Sequence, residues 1–408
     1  VRLLGLLLTF LAIAVAEDTA ADLESRAVAL KAQGDAAGAL ALYQSAAALD
    51  PKSARLQDQV GFLLAVLHRR EEAVRVLQEA LALDPKYAPA QFHLGALYWL
   101  SRDAANGIPH LQSAAALDPG NFDYQYRLGV ALASEAQYAD ALQHLRAAVA
   151  ADAGHADGWN SLGLALQKSG DLAAAVEAFR RAVDLNPADP DARNNLGTTL
   201  VNTRHADEGI AQFRKILEAD PSFNMARINL GFAYIEKGDA DSAVEQLREA
   251  VQRDPTEASA HYDLGVALKN KDDIEGAKAE LRRALELDPA LAEAHYTLGI
   301  AYWQTGAFDD AAKEMQAAID LRPDYGEAFF MLGTALKQKG DLAGAETALR
   351  SAIRYRPEDP GPFNTLGQLL RQKGDLEGSK AAFAKGQQVK ETKEAELGKM
   401  LQKTDSAK

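Results

Sequence analysis

The chain has 408 residues, with 44 basic and 58 acidic side chains and a formal net charge of −14, a balance that argues against a nucleic-acid binder, which needs a basic face for phosphates. Apolar residues make up 48% but aromatics only 7%, an alanine- and leucine-rich mixture that favours helices and argues against an all-β chain. Cysteine is absent, so disulfides, thiolate metal sites, iron–sulfur clusters and a cysteine nucleophile are excluded.

The first element is an address. Arg2 precedes an apolar stretch from Leu3 to Val15, and Ala14-Val15-Ala16 forms a small-x-small cleavage site before the acidic Glu17-Asp18. This pattern predicts a secretory signal peptide over residues 1–16 and a short linker over 17–19. The stretch is too short for a comfortable membrane span. The mature chain is therefore expected to be exported, to a periplasm or to the outside, with no integral membrane segment.

The rest is one unit read repeatedly. Gly61, Gly95, Gly129, Gly163, Gly197, Gly231, Gly265, Gly299, Gly333 and Gly367 follow one another at intervals of 34. Pro51, Pro85, Pro119, Pro187, Pro221, Pro255, Pro289, Pro323 and Pro357 keep the same interval, with Ala153 in the gap. Self-similarity at such a period marks a repeat architecture. Eleven frames result, without insertion or deletion: 20–53, 54–87, 88–121, 122–155, 156–189, 190–223, 224–257, 258–291, 292–325, 326–359 and 360–393.

Each frame predicts two helices. In 156–189, Trp159, Leu162 and Leu166, and then Leu172, Val176, Phe179, Ala182 and Val183, fall at helical spacing. Gly170-Asp171 between them reads as a C-cap glycine and an N-cap aspartate, and Asn186-Pro187 stops the second helix. Gly163, Ala175 and Ala182 are small where two antiparallel helices approach, while large residues fill the space between neighbouring pairs. Acidic pairs such as Asp309-Asp310 suit a helix N-terminus.

Trp159, Leu162, Gly163, Leu166, Ala175, Phe179, Ala182 and Pro187 resemble, position by position, the tetratricopeptide repeat family. The likeness covers 374 of the 408 residues. It implies an all-α fold, a right-handed solenoid of stacked antiparallel helix pairs whose concave face binds peptides or proteins. Departures are Arg26-Ala27 where Leu-Gly belongs, and Gly107, Gly209 and Ser379 in place of the central alanine. Pro109 falls inside a second helix, where a distortion is expected. Beyond the last frame, 394–408 is expected to extend a capping helix, with Leu397, Met400 and Leu401 as its apolar stripe.

The leader and the array leave 18 residues, too few for a catalytic domain. No nucleophile elbow, P-loop, dinucleotide turn or metalloprotease histidine pair is present. No catalytic residue, cofactor or metal is expected, and no nucleic acid. His261 and His295 share a frame position on neighbouring repeats, roughly 10 Å apart by helix packing, too far for one zinc. They are expected to pack between repeats.

Function is then expected on the groove. By resemblance, frame positions 2, 5, 9, 12 and 13 of each first helix line it. Two aromatic clusters emerge: Phe92, Trp99 and Tyr126, and then Tyr262, Tyr296, Trp303 and Phe330. Asn160, Asn194, Asn195 and Asn229 lie between them, and Lys269, Lys337 and Arg371 add cations toward the C-terminal end. Aromatic anchors, amides for backbone hydrogen bonds and cations suit a peptide or protein partner. Tyr296, Trp303 and Phe330 are expected to form one exposed patch whose loss costs little stability. Two other readings of the array are a structural part of a bacterial envelope assembly or polysaccharide-export machine, and a subunit presenting substrate to an enzyme on a separate chain. Of the known clamp for chaperone carboxylate tails, which needs Lys and Asn at positions 5 and 9, no frame has the pair.

Overall fold

The structure, a computed structural model, describes residues 18–405, with side chains through residue 396. The expected leader at 1–16 and the stripe of Leu397, Met400 and Leu401 lie outside the described residues and side chains. Every described element is a helix. The first helices of the frames are α1 (Ala20–Ala32), α3 (Ala54–Val66), α5 (Ala88–Leu100), α7 (Phe122–Ser134), α9 (Ala156–Lys168), α11 (Pro190–Asn202), α13 (Asn224–Lys237), α15 (Ala258–Asn270), α17 (Ala292–Gln304), α19 (Gly326–Lys339) and α21 (Pro360–Gln372). The second helices are α2 (Ala36–Leu49), α4 (Arg70–Leu83), α6 (Ala104–Leu117), α8 (Tyr138–Ala151), α10 (Leu172–Leu185), α12 (Ala206–Ala219), α14 (Ala240–Arg253), α16 (Ile274–Leu287), α18 (Phe308–Leu321), α20 (Leu342–Tyr355) and the longer α22 (Leu376–Asp405). Among the described residues no helix is long and apolar enough to cross a membrane.

The turn inside each pair has one backbone solution. The residue at frame position 15 is left-handed in all eleven frames, as glycine at Gly34, Gly170, Gly238, Gly306, Gly340 and Gly374, and as another residue at His68, Arg102, Ala136, Arg204 and Asp272. The next residue often caps the second helix. Asp35, Asp103, Asp171, Asp239, Asp273 and Asp341 each accept a hydrogen bond from the backbone N–H three residues on, satisfying one of the donors that a helix start leaves open.

The repeated glycine makes room for a side chain rather than for bare backbone. A Cβ on Gly163 would lie 2.6 Å from the ring of Phe179, and one on Gly61, Gly129 or Gly265 equally close to Leu77, Leu145 or Leu281. The third frame is the exception. There a Cβ on Gly95 would meet the backbone N of Leu111 at 2.8 Å, and one on Gly107 the carbonyl of Gly95 and the N of Trp99 at 2.9 Å. This close approach also bears on Pro109. Any distortion at Pro109 stops short of a break, and α6 runs unbroken through it. The proline removes one donor near the start of α6, while tight packing of Gly107 and of the fully buried Leu111 on α5 holds the helix on both sides of it.

By their contacts the described residues divide into two compact units, one up to residue 192 and one from residue 193. Helices pack in chain order, each on the next, from α1 to α10 in the first unit and from α12 to α22 in the second. Neighbouring first helices also touch: α3 with α5, α5 with α7 and α7 with α9 in the first unit, and α13 with α15, α15 with α17, α17 with α19 and α19 with α21 in the second. Within either unit no such contact joins neighbouring second helices among the described residues. The first helices therefore form the inner, closer-spaced layer of each unit and the second helices the outer one.

Candidate binding surface

Two ladders of polar contacts run through the array and place the candidate residues. The first joins frame position 4 to position 23 of the same frame, 19 residues later, and to the carbonyl that closes the preceding frame. Gln91 Oε1 pairs with His110 Nδ1 at 2.6 Å, and Gln125 Oε1 with His144 Nδ1 at 2.7 Å. Arg193 donates to Gln212 at 3.0 Å and Arg227 to Gln246 at 3.3 Å. His261 Nδ1 pairs with Glu280 and His295 Nδ1 with Glu314, each at 2.6 Å. The same side chains reach back: Gln91 to the carbonyl of Pro85, Gln125 to Pro119, Arg227 to Pro221, His261 to Pro255 and His295 to Pro289. Trp159 keeps the bond at 3.0 Å to Ala153, which stands where the neighbouring frames have proline. The two histidines are thus inter-repeat bridges as well as packing residues. Burial lowers the pKa of His110 and His144 below the usual imidazole range. Among the described residues no group of three or more His, Asp and Glu converges as a metal would require.

The second ladder lies along the inner layer and joins position 5 of one first helix to position 6 of the next, 35 residues on. Asp58 Oδ1 meets His93 Nδ1 at 2.7 Å, and Ser161 donates to Tyr126 Oη at 3.4 Å. Asn229 Nδ2 donates to Asn194 Oδ1 at 2.9 Å, and Tyr262 interacts with the hydroxyl of Thr297. Sequence reasoning treated Asn194 and Asn229 as amides for a ligand backbone. The structure ties them to each other, leaving each with part of its hydrogen-bonding capacity.

In the first unit, Phe92 packs on Tyr124 and His93, with ring centroids 4.9 and 5.7 Å apart. The Trp99 indole donates to Ser134 at 3.2 Å, and the Arg127 guanidinium lies 5.4 Å from its ring. Tyr126 stacks on Phe122 at 5.3 Å. Phe92 and Trp99 flank one core cluster, whereas no ring contact joins either to Tyr126 among the described residues. Burial pushes the Tyr124 hydroxyl beneath Phe92 up to about 12. Asn160 is half-buried on α9.

In the second unit, Tyr296 and Trp303 pack against one core cluster and Phe330 against the following one. Tyr296 lies on Tyr325 at 5.0 Å and Trp303 edge-on to Phe308 at 6.5 Å. The expected full exposure is corrected: all three rings are half-buried, and their buried sides pack on two core clusters. They bury one face because neighbouring first helices touch, and a large side chain at position 5 or 12 fills the step between them. Burial raises the hydroxyls of Tyr262, Tyr296 and Tyr325 above the usual phenol range. Trp303 Nε1 is buried with no hydrogen-bond partner. Lys337 donates to Gln368 at 2.8 Å, Lys269 is half-buried, and Arg371 is exposed. Asn195 is half-buried on α11.

One residue of this layer went unremarked in the sequence. Asp263, at position 6 of the eighth frame, is half-buried and makes no hydrogen bond or ion pair among the described residues. Burial alone pushes its carboxyl up to about 7. The register explains its isolation. The position-5 residue that should face it is Ile228, buried and without a polar atom to offer. Reading position 5 of each frame against position 6 of the next would have found it.

A repeat-array model described as the cilia and flagella-associated protein 70 C-terminal domain matches residues 189–400, more than half of the chain. A tetratricopeptide repeat model matches 63–122, 101–156 and 126–192. No curated protein matches the chain. Among solved structures, the APC/C hetero-tetramer Cut9–Hcn1 is 15% identical, with a TM-score of 0.54, over 86% of this chain and 90% of that one. MamA is 29% identical over 40% of this chain and 95% of its own, with a TM-score of 0.37. YrrB, described as a TPR protein with an unusual peptide-binding site, is 25% identical over 46% of this chain and 97% of its own, with a TM-score of 0.39. The chain belongs to the tetratricopeptide repeat family.

Proposed function

We propose that this chain is an exported, non-enzymatic scaffold that binds a peptide or protein along the inner layer of first helices. The observation that carries the reading is the placement of Phe92, Trp99, Tyr126, Tyr262, Tyr296, Trp303 and Phe330. Each is a large ring on that layer, with part of its surface buried in the step between repeats and part left accessible. Rings held in this way lose little side-chain entropy on binding, which favours anchor contacts. Family membership supports the interaction role, and the Arg2-to-Ala16 pattern supports export.

Two measurements test it. Purified protein is panned against a random dodecapeptide library displayed on phage, and selected peptides are titrated against wild type, Trp303→Phe and Phe330→Leu. These variants keep an apolar residue on the inner layer while changing its outer contour. Binding several-fold weaker at an unchanged melting temperature supports the groove; unchanged binding places the interaction elsewhere. Separately, protein isolated from its native host should begin at Glu17 and be found outside the cytoplasm.

A further inference from the structure

The position-5 to position-6 ladder forms a polar pair at four steps, whereas at three others an apolar side chain stands at position 5: Phe92 faces Arg127, Ile228 faces Asp263 and Phe330 faces Thr365, and of these only Asp263 is a carboxylate. His93, Ser161, Asn229 and Thr297 all sit at position 6, and each finds a partner at position 5 of the preceding first helix. Asp263 occupies the same position on α15, in register with Ile228 of α13. Asp263 makes no hydrogen bond or ion pair among the described residues with α13, α14, α16 or α17, the helices packed on α15, and burial raises its carboxyl. Phe232 and Val266, one turn further along α13 and α15, are half-buried and apolar. A carboxylate in such surroundings gains more from an opposite charge than one in open water. The interior of the array supplies no such charge; a ligand on the inner layer can.

We infer that Asp263 is a specificity subsite for a lysine or arginine side chain of an extended peptide bound on the inner layer, the ligand's cation completing the polar step that Ile228 leaves open. The inference rests on the groove reading above and names the chemistry of its ligand. Charge complementarity supports it: the chain carries a net charge of −14, so a basic segment is also steered toward it over longer distance. Asparagine stands at the position of Ile228 in three other frames, as Asn160, Asn194 and Asn364. Ile228→Asn should therefore supply Asp263 with a partner from within the chain and close the subsite.

The experiment pans the random dodecapeptide phage library on wild type, Asp263→Asn and Ile228→Asn, after circular dichroism has shown all three equally helical. The expected result is at least tenfold enrichment of Lys or Arg at one peptide position with wild type, and loss of that enrichment with both variants. Peptides selected with no basic position, or with the same basic position on Asp263→Asn, overturn the subsite while leaving the groove reading standing. Failure of wild type to retain any peptide overturns both. A second readout needs no library. The carboxyl carbon of Asp263 is titrated by NMR with and without the capped peptide Gly-Arg-Gly. A midpoint lowered by about one unit or more supports the contact, and an unmoved midpoint at saturating peptide overturns it.

Discussion

A left-handed backbone at frame position 15 suits glycine, yet five frames place another residue there. Ala136, with φ of 57°, has no side-chain function to offset the strain. Ala136→Gly should raise stability by about 0.5–1 kcal/mol, read as a higher denaturation midpoint, and Gly340→Ala should lower it by a similar amount. The repeated mid-helix glycines separate by what surrounds them. A Cβ on Gly95 meets the backbone of Leu111, which cannot yield, whereas one on Gly299 meets chiefly the mobile end of Met315 at 2.7 Å. Gly95→Ala should cost about 2 kcal/mol or more, and Gly299→Ala should stay within about 1 kcal/mol of wild type, since gained helix propensity offsets the shift of Met315. Asp263 sets a pH dependence. Its folded-state pKa of about 7 lies above its unfolded value, so the folded state holds the proton more tightly. Its contribution to stability is complete below about pH 4 and is lost as pH rises through about 7. Denaturant melts should find Asp263→Asn more stable than wild type near pH 8, by on the order of 2–4 kcal/mol, with the difference shrinking toward pH 4. Equal pH profiles for the two proteins would contradict this reading of the site.

At the scale of the element, position 4 and position 23 are paired in six frames. The pairs are Gln91 with His110 and Gln125 with His144, then Arg193 with Gln212 and Arg227 with Gln246, then His261 with Glu280 and His295 with Glu314. Where position 4 is an aromatic hydrocarbon, as at Phe329 and Phe363, position 23 shrinks to Ala348 and Ala382. The pair is conserved in fit rather than in identity, because the space between a first and a second helix is constant while its filling is free. Replacing His295 by Phe should therefore cost about 1–2 kcal/mol while Glu314 still occupies the facing position, and Glu314→Ala alone should cost a similar amount by leaving His295 Nδ1 without its partner. The double variant rebuilds the Phe329–Ala348 arrangement and should be more stable than the summed single effects by about 1 kcal/mol or more. Additive effects in the double-mutant cycle would mean that the two positions are independent. This pairing was legible in the sequence, since every partner is 19 residues away, but helix periodicity reads one helix at a time. The histidines were consequently seen as packing alone. The half-burial of Trp303 was missed for the same reason: position 12 faces outward from its own helix, and what covers it comes from other helices, Phe308 of α18 among them.

At the scale of the whole chain, the 34-residue interval carried the fold, because capping, turn and small-residue signals all recur in one register. The division at residues 192 and 193 had no such signal; it falls inside α11, where the frame runs on unchanged. An array held by neighbour contacts should accept the loss of a whole frame. Residues 258–291 are the informative choice. Their removal joins Glu257 to Ala292, so His295 finds the carbonyl of Pro255 six residues upstream where it had that of Pro289. Ile228 then comes into register with Thr297 in place of Asp263. A hydroxyl facing an apolar side chain costs far less than a buried carboxylate does. The shortened chain should fold with the same helicity per residue, and its denaturant m-value should fall by about one tenth, in proportion to the surface lost. Its stability should no longer decline between about pH 4 and 7 through the Asp263 carboxyl, which is gone. Circular dichroism and urea melts at several pH values read all three. A deletion variant that loses helical content well beyond one frame would show that the frames are not interchangeable, and that the uneven pairs at positions 4, 5, 6 and 23 tie each repeat to its own neighbours.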